Sequence, residues 1–356
     1  MYKQKYLKYK TRYLKQKMNQ DIPKMNEGSN IFDLDKNYDF GTNVQDNILI
    51  LKEKFGESFF IKNQDILFPV ELIYKEGLII NHKYYELCYD EPERTYLQKP
   101  FSVWFNDIET GELNNNVYIN LIHSSKKYSG SIIVRTLLDI LRKIGVQKAV
   151  LHDGANIKCN NIDLPLSFPK MLEKGQTFYM SFGFKFIQIN QPACSLPYIN
   201  NDMWNNGVNN VLTKINNIKI DDMKEKFIEI LHLITKVKNK KDFENVKIKY
   251  LFTPHFLPRD YYYEENVENK INELEGTVTK ILSILEETDE IFIKPYLVHL
   301  FKNKILCEKY ATIYKFISSR SFVFSYNNKV VNFDFVILFN LLKSLCSDVY
   351  FAYYFY

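Results

Sequence analysis

Five segments decide the fold: Val117–Ile122 (VYINLI), Lys126–Ser131 (KKYSGS), Ile132–Gly145 (IIVRTLLDILRKIG), Lys148–His152 (KAVLH) and Phe178–Phe184 (FYMSFGF). The first has the apolar, β-branched content of a half-buried strand. The second is a polar glycine turn. In the third, positions 133, 134, 137, 138, 141 and 144 are apolar at helical spacing, and Gly145 stands where a C-cap glycine is expected. The fourth is another strand. A turn between a strand and a helix directs free N–H groups at one point, which suits phosphate.

Upstream, Ser58–Lys62, Pro69–Tyr74, Leu78–Tyr89 and Phe101–Asp107 are strand candidates. Asp107–Glu112 supplies turn residues, so 101–107 and 117–122 are expected to form a hairpin. Antiparallel strands followed by a strand-helix-strand unit make an α+β or mixed α/β domain. Residues 19–45 read as a polar linker, and 190–207, with Pro192, Pro197 and Gly207, as a boundary. Beyond it the pattern is mainly helical: 208–217, 221–238, 264–287, 294–318 and 333–356. A hairpin around Asn327-Asn328 is the alternative for 322–333.

A chain of 356 residues suggests one large domain or two. Lys3, Lys5, Lys8, Lys10, Arg12, Lys15 and Lys17 lie within residues 1–18, which hold no acid. Removing these seven from 47 basic residues leaves 40 against 42 acidic ones. The body is therefore not a basic nucleic-acid binder, and polyanion contact is expected only through 1–18 or a local patch. Tyr2, Tyr6, Tyr9 and Tyr13 share one face of a helical arm there. The arm has no apolar core of a secretory signal. Five scattered cysteines without a CxxC pair argue against a zinc ribbon and a disulfide framework, and make a reducing compartment the default. Cys159 reads as an inert or exposed thiol. Val330–Tyr356 is interrupted by Asp334, Asn340, Lys343 and Asp348, so no membrane span is expected.

The order of elements resembles the GCN5-related N-acetyltransferase (GNAT) superfamily. In that family a strand ends at a loop with an arginine- or glutamine-x-x-glycine-x-glycine/alanine pattern, whose N–H groups hold the coenzyme's pyrophosphate. The matching loop here is Lys127-Tyr128-Ser129-Gly130-Ser131-Ile132. Gly130 matches; Lys127 stands in for arginine or glutamine, and Ile132 for the final small residue. Phe178, Tyr179, Gly183 and Phe184 match the family's phenylalanine-tyrosine-x-x-x-glycine-phenylalanine run in full.

The resemblance implies a GNAT-like domain over 46–190 with a helical C-terminal domain over 208–356. It implies acetyl transfer from acetyl-CoA, without a metal, to an amine acceptor. Lys126, Lys127, Tyr128, Ser129, Gly130 and Ser131 would hold the coenzyme. Pantetheine would lie between strands 117–123 and 148–152. Tyr179 would protonate, or hydrogen-bond, the departing thiolate. A phenol titrates near 10 and a thiol near 8.5, so the phenol still carries its proton at neutral pH. Gly183 would let the chain leave its turn with φ > 0.

For the general base the candidates are His123, His152 and Asp153 at strand ends, each alternatively a surface-loop residue, with Glu71 a further possibility. Arg94 reads as a solvated loop cation. The alternative function is a catalytically inactive GNAT-like structural or interaction protein. The opening Lys5–Lys10 and Arg12–Leu14 also resembles the openings of many proteins from giant viruses of amoebae, which implies an intracellular setting, host cytoplasm or virion.

Overall fold

The structure is a computed structural model. It describes residues 30–76, 83–89, 101–105, 115–122, 128–154, 156–159, 162–188, 200–237, 242, 246–251, 267–317, 321–327, 329–332, 334–346 and 349–355. The fold is mixed α/β. The chain divides into two compact units, 1–147 and 148–356.

Among its described residues, the first unit has the strands β1 (Ile31–Asp33), β2 (Ser58–Asn63), β3 (Ile66–Glu76), β4 (Lys83–Tyr89), β5 (Phe101–Trp104) and β6 (Asn116–Ile122). They lie side by side in sequence order. β1 runs parallel to β2, and every later pair is antiparallel. The expected hairpin of β5 with β6 is present, with a bulge between Ser102 and Val103.

Between β1 and β2 lies α1 (Val44–Phe55), inside and just beyond a stretch that reads as linker and strand. Asn43 caps it, its side chain accepting from the N–H groups of Gln45 and Asp46. Val44, Ile48, Leu51 and Phe55 form its buried stripe. After β6 comes α2 (Gly130–Lys143), with Ile133, Val134, Leu137, Leu138 and Leu141 inward and Gly145 at φ 82°, as the spacing predicts. Buried Asn47 joins the ends of this layer. Its carboxamide oxygen accepts from Gly41 N–H, and its nitrogen donates to the carbonyls of Gly41 (2.8 Å) and Ile144 (3.0 Å).

The second unit opens with β7 (Lys148–His152). A short ribbon follows, β8 (Asn156–Cys159) with β9 (Ile162–Pro165), and then α3 (Ser167–Lys174). A 3-10 turn over Tyr179–Phe182 leads to β10 (Lys185–Ile187). Helices α4 (Asn201–Ile215) and α5 (Ile220–Ile234) precede β11 (Val246–Leu251). Next come α6 (Val267–Glu286), α7 (Ile293–Lys302) and α8 (Cys307–Ile317). β12 (Ser321–Tyr326) and β13 (Lys329–Asn332) form the hairpin that was one alternative for 322–333, and β11 pairs alongside β12. The chain closes with α9 (Asp334–Cys346) and β14 (Tyr350–Tyr354).

Two expectations change here. The sequence reads 333–356 as one helix, whereas its last residues are a strand. β14 lies between β7 and β10, antiparallel to both. Residues 208–356 are accordingly grouped with 148–187 rather than set apart. Phe186 of β10 stacks on Trp204 of α4, whose indole N–H donates to the Leu345 carbonyl of α9. The cysteine expectation is also corrected. Cys159 and Cys307 form a disulfide across 148 residues, and Cys159 is 2% exposed rather than a free surface thiol. Among the described residues no helix is long and apolar enough to cross a membrane.

Candidate functional site

In the first unit, the candidate anion position is where the chain enters α2. Ser129 is the N-cap, with φ −69° and ψ 153°. Its carbonyl accepts from the N–H groups of Ile132 (3.0 Å) and Ile133 (3.1 Å), and its hydroxyl oxygen takes a longer contact from Ile132 at 3.4 Å. The amides of Gly130 and Ser131 precede these and head the helix, where the dipole favours an anion. Gly130 is the first helical residue.

The Tyr128 side chain turns into the core. Its ring packs 4.6 Å from Phe68, and its hydroxyl donates to the Leu67 carbonyl at 3.0 Å. Burial pushes its phenol up to about 12. It anchors the turn to β3 and leaves only its backbone for a ligand. Ile132 is half-buried. Lys126, Lys127, His123 and Arg94 lie outside the described residues.

In the second unit, β7 ends at His152 and Asp153. The His152 ring sits 4.9 Å from that of Tyr350, its partner in the β7–β14 register. Asp153 is buried, and its N–H donates to the Val349 carbonyl at 2.9 Å. Tyr179 opens the 3-10 turn against the rings of Phe178 and Phe184. Gly183 closes that turn at φ 95°, the conformation expected of it. Tyr179 is 5% exposed. Burial, with a smaller contribution from the negative charge of Asp153, raises its pKa far above the ordinary phenol value. Among the described residues, nothing hydrogen-bonds its hydroxyl. The unit thus brings Tyr179 into the field of Asp153 and keeps its phenol protonated. His152 flanks Asp153 along the chain.

One cluster escaped the sequence reading. Glu86 on β4 is fully buried, accepts from the Ser102 hydroxyl at 2.5 Å and is paired with Lys75. Glu71 occupies the same sheet face, opposite Cys88 in the β3–β4 register. Strand alternation puts Glu86 and Cys88 on one side of β4, and that was the available signal. With no exposure at all, Glu86 is a polar staple across β3, β4 and β5 rather than a group that meets substrate. Among the described residues no group of His, Cys, Asp and Glu is placed to hold a metal ion.

Compared with protein-family models, curated proteins and solved structures, the chain matches none of them.

Proposed function

We propose that this protein is an acetyl-CoA-dependent N-acetyltransferase of GNAT type. The observation that carries the reading is Tyr179: a phenol kept protonated by burial and by Asp153, without a hydrogen-bond partner among the described residues, on a turn whose sequence is the full FYxxxGF pattern. A phenol this weakly acidic keeps its proton at neutral pH and can donate a hydrogen bond to the departing thiolate, stabilising its charge without giving the proton up. The Ser129-capped start of α2, with the Gly130 and Ser131 amides at its head, supports a diphosphate there. In this account the amine attacks the thioester carbonyl directly. The carbon–sulfur bond breaks toward sulfur, the Tyr179 hydroxyl hydrogen-bonds the departing thiolate, and the thiolate takes its proton from water. His152 or Asp153 receives the proton from the amine.

Ile132 favours a second reading. Its bulk stands where the family places a small residue, so the loop of an inactive, interaction-only descendant would look the same. Calorimetric titration of the full chain with acetyl-CoA separates the two. Saturable heat with a thermal upshift supports the transferase. No heat and no shift at millimolar coenzyme removes it and leaves the interaction protein.

A further inference from the structure

The ribbon that follows Asp153 is only four residues to a strand. Asn156 pairs with Pro165, and Cys159 with Ile162. A two-stranded ribbon of this length is marginal on its own. Its neighbours on either side are held independently. On one side, β7 is fixed by its register with β14 and by the Asp153 N–H bond to Val349. On the other, α3 is fixed by Phe168, whose ring lies 5.1 Å from that of Tyr314 and 6.2 Å from that of Phe339. Glu173 of α3 adds an ion pair with Lys302 at 2.8 Å. The ribbon's covalent clasp is at its tip, where Cys159 is bonded to Cys307, the first residue of α8.

The two sulfurs are unequal. Cys159 is buried, while Cys307 is half-buried at a helix N-terminus. A thiol reductant therefore enters at Cys307.

We propose that the Cys159–Cys307 bond is a reducible latch, which a small thiol opens to free strands β8 and β9 beside the His152–Asp153 strand end while the unit around them stays folded. The step balances with a dithiol as reductant. Its thiolate attacks the Cys307 sulfur, the S–S bond breaks, and Cys159 leaves as a thiolate that takes up a proton. The second thiol then displaces Cys307 and closes the reagent's own disulfide. The protein gains two electrons and two protons. This proposal does not depend on acetyl transfer.

The test uses the full chain purified without reductant, then treated with dithiothreitol, and reads peptide mapping and amide hydrogen exchange. Before reduction, the peptides holding Cys159 and Cys307 are expected to be linked. After it, exchange over β8 and β9 is expected to rise about tenfold or more, while α1 and α9 change by less than about twofold. Reduced Cys307 is expected to alkylate well ahead of Cys88 and Cys346, which are buried. The double variant Cys159→Ser/Cys307→Ser is expected to show the reduced exchange pattern and to ignore dithiothreitol. Unlinked peptides before reduction would overturn the latch, as would unchanged exchange over β8 and β9. Loss of protection throughout 148–356, or a double variant that does not fold, would make the bond a structural staple and overturn it too.

Discussion

Gly183 leaves the Tyr179 turn at φ 95°, and a β-carbon built on it would lie 3.3 Å from Cε2 of Tyr353 on β14. The position is closed to side chains twice over, by backbone conformation and by the ring beside it. Gly183→Ala is expected to destabilise the protein by roughly 1–3 kcal/mol. A urea midpoint equal to that of the parent would show that the turn relaxes without cost.

Tyr128 gives the protein an alkaline limb. Its folded pKa is raised to about 12, above the ordinary phenol value near 10. The unfolded chain thus loses this proton first as pH rises. The stability linked to Tyr128 is whole below pH 10 and falls between 10 and 12. Tyr128→Phe is expected to cost about 1 kcal/mol at pH 7, through the lost bond to Leu67, and to flatten that alkaline decline. Chemical denaturation at several pH values checks both; an unchanged slope above pH 10 would contradict the assignment.

Asn47 connects three backbone groups inside the first unit. Truncation leaves the Ile144 carbonyl and both polar groups of Gly41 short of a partner. Asn47→Ala is expected to cost about 1–3 kcal/mol, read as a lower midpoint with an unchanged denaturant slope. A surface-like change under 0.5 kcal/mol would mean that water replaces the carboxamide.

Tyr179→Phe removes one hydroxyl from an aromatic cluster and keeps its packing. Acetyl transfer is expected to slow by roughly 100-fold, with coenzyme affinity unchanged. Parent-level turnover in this variant would exclude Tyr179 as the group that stabilises the leaving thiolate.

The sequence announced its local features and concealed its long-range ones. Helix α2 and strands β6 and β7 were legible because their periodicity is clean. So were the positive φ values of Gly145 and Gly183. Helix α1 was hidden because Leu49 and Ile50 are apolar yet exposed, which blurs a helical stripe into the run Ile48–Leu51. Tyr128 sits in a polar turn, but its ring belongs to a core contact about 60 residues away in the chain. The pairing of β14 with β7 and the Cys159–Cys307 bond join residues roughly 150 to 200 apart. No spacing rule reaches that far. Of the site, the Tyr179 turn was readable as a motif. The charge of Asp153 at the phenol was not, because it depends on how β7 ends beside that turn.

The most direct measurement is of the backbone amides at the head of α2. Acetyl-CoA added to isotope-labelled full-length protein is expected to move the Gly130 and Ser131 amide resonances in a saturable way, as N–H groups engage a diphosphate. Resonances of these two amides that stay fixed at millimolar coenzyme would contradict the account.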